Sequence, residues 1–144
     1  MEATASAGWR RIAVWLFTLA AAIVVAGVFL QAFSIAAYVR GAGQGARDLH
    51  ETGGFLTHSI EIVVFLLALV AFWGAWRRVG FALLLPLVGT LQVLLVGDTD
   101  KSGGWVNGLH GMFALVVLLL AGALAELGRR VLQSGGGRIR TSVG

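Results

Sequence analysis

Four long apolar stretches constrain this chain more than any other feature of its sequence. They cover residues 12–39, 49–76, 79–97 and 105–127. An α-helix needs about 20 apolar residues to cross the hydrocarbon core of a bilayer, and the stretches reach or approach that length. The sequence therefore predicts an all-α integral membrane protein, with residues 1–130 forming a four-helix bundle surrounded by lipid.

Composition and charge exclude several other classes. Apolar residues make up 58% of the chain and charged residues 12%, whereas a soluble domain carries about 25% charged residues. Cysteine is absent, which excludes disulfides, iron–sulfur clusters and covalently attached c-type haem. The net charge of +4 does not indicate a nucleic-acid partner, because the basic residues separate apolar runs instead of forming a basic stripe.

The positions of the basic residues predict the orientation. With four spans, 8 of the 11 basic residues fall on one side of the membrane: Arg10, Arg11, Arg77, Arg78, Arg129, Arg130, Arg138 and Arg140. Because cytoplasmic loops carry the excess of Lys and Arg, both termini are expected to be cytoplasmic. Residues 131–144 are glycine-rich and basic, which predicts a flexible cytoplasmic tail.

A weak internal repeat divides the chain into two halves. Leu30-Gln31 precedes Leu49-His50 by 19 residues, and Leu91-Gln92 precedes Leu109-His110 by 18. Each half reads as a span, an outer loop and a second span. The repeat predicts two similar helical hairpins related by a pseudo-twofold axis along the membrane normal.

The chemistry-bearing residues are histidines. The chain has three, His50, His58 and His110, all in the outer halves of spans two and four. Ionisable side chains in a span usually face the bundle interior, and two histidines on facing helices can bind one haem iron from both sides. Nearby glycines, among them Gly54 and Gly111, would admit the flat porphyrin. Two further residues, Gln31 and Gln92, are candidates for hydrogen bonds to the ligating imidazoles.

Two measures disagree about which histidines pair. His58 is 19 residues from Arg77, and His110 is 19 residues from Arg129, so depth from the inner arginines pairs His58 with His110. The internal repeat instead pairs His50 with His110. We expect the pair given by depth, with His50 as the alternative partner. A third arrangement uses all three histidines and two cofactor positions.

Glu61 is the carboxylate that lies deepest within a span. It follows His58 by three residues and lies near the level of Gln92. A buried carboxylate can carry protons, contact a quinone or lie beside a haem propionate, and it can also form a purely structural hydrogen bond. Glu61 is therefore the candidate proton relay.

Three short motifs carry a resemblance to known families: DLHETGG at residues 48–54, LQVLLVG at 91–97 and LHG at 109–111. They resemble a family of small bacterial four-span membrane proteins, one half of haem A synthase and, more loosely, the membrane cytochromes b561. The resemblance covers roughly residues 29–125 and implies a four-helix bundle whose inward histidines hold b-type haem. Arginine follows the ligating histidine in haem A synthase, whereas Glu51, Ser59 and Gly111 follow the histidines here, so the synthase reaction is not implied.

These observations predict a membrane-embedded protein that binds haem b in the bacterial cytoplasmic membrane. Its expected role is electron transfer, with a quinol as a candidate partner or as a subunit of a larger redox complex, and a homo-oligomer is one expected form. The alternatives are a small proton-coupled transporter that uses Glu61 and an accessory membrane subunit without chemistry of its own.

Overall fold

Four α-helices make up the computed structural model, which describes residues 2–95 and 104–137. In chain order they are α1 (Glu2–Val39), α2 (Gln44–Ala71), α3 (Trp76–Leu94) and α4 (Gly104–Gly137). Each contains a segment that is long and apolar enough to cross a membrane. The prediction of an all-helical chain with four potential spans is confirmed, and the chain is a multi-pass membrane protein by helix length and composition.

Several helix boundaries differ from the predicted spans. α2 begins at Gln44 instead of residue 49, and it ends at Ala71 instead of residue 76. α4 continues through Gly137, so the first part of the tail that was predicted to be flexible is helical. The predicted outer loop with Asp98, Asp100 and Lys101 and the tail residues 138–144 lie outside the described residues.

Glycine makes both described interhelical turns possible. Gly41 and Gly43, between α1 and α2, have φ angles of 92° and 86°, and Gly74, between α2 and α3, has a φ of 87°. Side chains rarely tolerate this left-handed region, so these turns depend on the missing Cβ. The turn at Gly74 returns the chain into the bundle within residues 72–75, which makes Trp76 the first residue of α3.

The helices form a ring in which α2 and α4 lie at opposite corners. Over the described residues, α1 packs against α2 and α4, and α3 packs against the same two helices. Arginines of α1, α3 and α4 lie at one end of the bundle, and Arg10 there donates to the Trp73 carbonyl oxygen at 3.5 Å. Arg47, the arginine of α2, lies in the first turn of its helix at the opposite end. Side chains of α2 and α4 can meet only across the centre of the bundle.

The buried apolar core occupies the half of the bundle near these arginines. It contains Phe17, Val64, Leu85 and Leu124, and the Phe17 ring meets the edge of Phe72 with centroids 5.1 Å apart. Large apolar side chains such as Phe55 remain exposed on the outside, where lipid would cover them. In the described part of α2 and α4, no apolar residue before Val64 or Val117 is buried. In this other half of the bundle α1 nevertheless packs closely on α2, where Ser34 and Thr57 are buried.

Candidate functional site

His50 and His110 face each other across the bundle. Their ring centroids are 6.4 Å apart, and the ring planes are inclined at 73°. Each histidine lies six residues after the first residue of its helix, Gln44 in α2 and Gly104 in α4. The structure therefore brings together the pair given by the internal repeat, whereas the pair given by depth, His58 and His110, is not the pair that meets.

The residue count from the inner arginines misjudged the level of His58, because Arg77 does not belong to α2. This helix ends at Ala71, and the turn at residues 72–75 adds residues to the count without adding depth. Arg129, in contrast, lies within the unbroken helix α4. Equal residue counts from Arg77 and Arg129 therefore do not correspond to equal levels in the bundle.

Both facing histidines hydrogen-bond to the backbone of the preceding helix. The Nδ1–H of His50 donates to the Gln31 carbonyl oxygen at 3.1 Å, and the Nδ1–H of His110 donates to that of Gln92 at 2.9 Å. A carbonyl oxygen only accepts, so Nδ1 must carry the proton in both rings. In the neutral imidazole this leaves the Nε2 lone pair free, which is the state that binds a metal.

The two glutamines were predicted to hold the imidazoles, and they do so through their main chains. Gln31 and Gln92 supply carbonyl oxygens from corresponding positions of the two hairpins. The Leu-Gln and Leu-His repeat thus has a physical basis in two equivalent hydrogen bonds. The Gln31 side chain takes no part in the hydrogen bond to His50. Its amide nitrogen and oxygen are buried and, within the described residues, have no hydrogen-bond partner.

The glycines beside the histidines have different surroundings. A Cβ at Gly53 would collide with the Gln31 amide nitrogen, and a Cβ at Gly54 would lie 3.3 Å from the Gln31 amide oxygen. The clearance predicted at Gly54 is thus filled by the Gln31 side chain. Gly111 has open space, because a Cβ there would meet no atom within 4 Å.

His58 belongs to a second polar cluster between α2 and α3. Its Nδ1 lies 2.9 Å from Glu61 Oε2, and its Nε2 lies 3.4 Å from the Thr90 hydroxyl. The Glu61 side chain is 3% exposed, so this carboxylate is almost completely enclosed. Glu61 therefore pairs with His58 and not with Gln92, the partner suggested by its level.

Gly89 and Thr90 are residues of this cluster that sequence reasoning missed. A Cβ at Gly89 would collide with the Glu61 carboxylate, so α2 and α3 approach closely at this point only because residue 89 is glycine. The signal was present in the sequence as a glycine followed by a hydroxyl residue inside an apolar helix. Its significance depended on knowing which face of α3 meets Glu61.

The ligand set suits some metal centres and excludes others. In the part of the chain that the structure describes, no group of three or more His, Cys, Asp or Glu side chains could hold a metal ion. A zinc site would need four ligands, or three and a water molecule. Two opposed histidines are sufficient only when a macrocycle provides the remaining ligands, as porphyrin does for iron.

Comparisons with protein-family models, with curated proteins and with solved structures found no match to this chain.

Proposed function

We propose that this protein binds one b-type haem between α2 and α4, with His50 and His110 as its axial ligands, and that it transfers electrons. The observation that carries this proposal is the facing pair of imidazoles, each fixed through Nδ1 by a carbonyl oxygen. Second hydrogen bonds of this kind orient the ligating histidines of metal sites. His50 is thus the proposed second ligand of the iron, in place of His58, which the residue counts from the inner arginines predicted.

The ring separation agrees with binding to one metal ion. Imidazoles that bind a metal from opposite sides, each through a nitrogen at about 2.0 Å, have ring centroids about 6 Å apart. The centroids of His50 and His110 are 6.4 Å apart. The two rings also make matching hydrogen bonds at corresponding helix positions, which suits two equivalent ligands of one metal ion.

The surroundings of the histidines also suit a cofactor. Buried apolar side chains of α2 and α4 begin only at Val64 and Val117, deeper in the bundle than His50 and His110. The Gln31 amide is buried without a partner within the described residues, and a buried amide without a hydrogen bond costs about 1–3 kcal/mol. This amide would be a candidate hydrogen-bond donor to a polar group of the cofactor, such as a propionate.

In this proposal the residues have two roles: they bind the haem, and they surround it with a low-dielectric environment. His50 and His110 bind the iron, while the carbonyl groups of Gln31 and Gln92 keep both imidazoles in the tautomer that can do so. Haem supplies a one-electron couple, and the chain supplies a low-dielectric environment that tunes its potential. The proposed partner is a membrane quinol or another subunit of a redox complex, in keeping with the resemblance to membrane b-type cytochromes.

We expect both termini to lie in the cytoplasm of a bacterium, because most of the described arginines lie at the same end of the bundle as the start of α1 and the end of α4. Reporter fusions after Gly144 and at Gly43 test this orientation. A cytoplasmic reporter should be active at Gly144, and a periplasmic reporter should be active at Gly43. Periplasmic activity at Gly144 would contradict the proposed topology.

Proton-coupled transport is the second candidate, favoured by one observation. Glu61 is enclosed in the bundle and lies 2.9 Å from His58, so a titratable pair is present in the membrane interior. Uptake into proteoliposomes driven by a pH gradient, and lost in Glu61→Gln, would support this candidate.

The optical spectrum of the purified protein tests the haem proposal. The protein should be expressed with ample haem precursor, purified in detergent and assayed for haem and protein content. We expect one haem per chain and a low-spin Soret band that sharpens on reduction. Colourless protein would contradict the proposal and leave the transporter or an accessory role, and two haems per chain would contradict the single site.

A further inference from the structure

A groove between α3 and α4 lies at the arginine-bearing end of the bundle, away from the histidines. Its volume is about 480 Å³. Arg77, Arg78 and Phe81 line it from α3, and Leu127 and Arg130 line it from α4. We propose that this groove binds an anionic phospholipid, with the phosphate held by the arginines and an acyl chain packed on the apolar residues.

The charge of the groove is positive. Glu126 is the one carboxylate among its lining residues, and it already accepts hydrogen bonds from Arg129 and Arg130 at 2.6 and 2.7 Å. Within the described residues, neither Arg77 nor Arg78 forms an ion pair with a carboxylate. The Arg78 guanidinium lies over the Phe72 ring, 5.6 Å from the ring centroid, a contact that leaves its N–H groups able to donate. Both guanidinium groups can thus donate to an anion, and a guanidinium matches the oxygens of a phosphate in geometry as well as charge.

The order of charged and apolar residues follows the order of groups in a phospholipid. On α3, Phe81 lies one helical turn deeper in the bundle than Arg77, on the same face. On α4, Leu127 lies almost one turn deeper than Arg130. Both walls therefore present cations at the membrane surface and apolar side chains toward the bilayer centre, where an acyl chain would continue from its headgroup.

This arrangement distinguishes a lipid from a free anion. A free phosphate would use the guanidinium groups and gain nothing from Phe81 and Leu127, whereas a phospholipid uses both parts of the groove. Basic pockets between transmembrane helices are known binding places for acidic lipids, and each arginine near the surface contributes about 1 kcal/mol. The inference requires only that the bundle spans a membrane, so it does not depend on haem binding.

Native mass spectrometry of the detergent-purified full chain tests the proposal. The protein is titrated with phosphatidylglycerol and, separately, with phosphatidylcholine of the same acyl composition. We expect phosphatidylglycerol to bind about tenfold more tightly, and the double variant Arg77→Gln/Arg78→Gln to lose about tenfold in that affinity. The matched control, Arg10→Gln/Arg11→Gln, removes two adjacent arginines at the same end and should change the affinity by less than about twofold.

A variant that is expected to increase the lipid affinity serves as a second check, because a loss of folding could not produce tighter binding. Glu126→Gln removes the carboxylate of the groove and should tighten phosphatidylglycerol binding by about threefold. Millimolar inorganic phosphate should not displace the lipid. Equal binding of the two lipids, equal losses in the groove and control variants, or displacement by inorganic phosphate would each overturn the proposal.

Discussion

Replacing either His50 or His110 with alanine is expected to abolish the low-spin haem spectrum, and replacing His58 is expected to preserve it. The rings of the first two side chains face each other, and their Nδ1–H groups are held by carbonyl oxygens, whereas both ring nitrogens of His58 are engaged, by Glu61 and Thr90. Loss of one axial ligand leaves the iron five-coordinate or water-bound, which shifts it toward high spin. The measurement is the optical spectrum of each purified variant at equal haem supply.

Added imidazole separates the loss of a ligand from the loss of the fold. In His110→Ala and His50→Ala, free imidazole should enter the space left by the side chain and restore the low-spin spectrum. Circular dichroism should show unchanged helix content in all three variants. Loss of the low-spin spectrum in His58→Ala, with His50→Ala unaffected, would show that depth and not the repeat sets the ligand level.

Substituting Gly89 should destabilise the bundle far more than substituting Gly80 on the same helix. A Cβ at Gly89 would collide with the Glu61 carboxylate and lie 2.9 Å from His58 Nδ1, whereas a Cβ at Gly80 would meet no atom within 4 Å. Overpacking of this kind costs about 1–3 kcal/mol. Replacing glycine with alanine in an open helical position contributes up to about 1 kcal/mol of stability. Gly89→Ala should therefore lower the free energy of unfolding, and Gly80→Ala should leave it unchanged or raise it.

Unfolding in detergent, followed by circular dichroism, measures both variants. The cause can be checked with the double variant Glu61→Ala/Gly89→Ala, because removing the carboxylate also removes the obstacle. The two substitutions should then be less than additive in their cost. Equal stabilities of Gly89→Ala and Gly80→Ala would contradict the close approach of α2 and α3 at this position.

The number of helices could be predicted from the sequence, but the residues at which they begin and end could not. Apolar runs are a direct consequence of crossing a bilayer, so the four helices could be predicted from the four apolar stretches. The break between α2 and α3 was hidden, because residues 72–76 remain apolar and aromatic through the turn. Gly74, with its positive φ, was the local sign of that turn. This one misplaced boundary led the residue count to pair His58 with His110, whereas the rings that lie close together are those of His50 and His110.

The internal repeat identified the two facing histidines, and the residue count from the inner arginines did not, because the repeated residues form equivalent hydrogen bonds. Each Leu-Gln and Leu-His pair places a histidine opposite the main-chain carbonyl of a glutamine, with spacings of 19 and 18 residues in the two hairpins. The use of main-chain oxygen could not be predicted, since every residue carries one. The pairing of Glu61 with His58 followed their spacing of three residues on one helix, but the contact with Thr90 required the packing of α3.

Electron paramagnetic resonance of the oxidised wild-type protein tests the central claim most directly, because it reports both the axial ligands and their orientation. Each imidazole interacts through its π system mainly with one of the two iron orbitals of matching symmetry. When the two rings are nearly perpendicular, these orbitals are affected alike and stay nearly equal in energy. Orbital angular momentum is then retained, and the low-spin signal becomes highly anisotropic.

The planes of His50 and His110 are inclined at 73°, close to perpendicular. We therefore predict a highly anisotropic low-spin signal with one large g value, and its loss in His50→Ala and in His110→Ala. Parallel rings would instead give a rhombic low-spin signal, which would contradict the ring orientation. An axial high-spin signal from wild-type protein with bound haem would contradict ligation by two histidines.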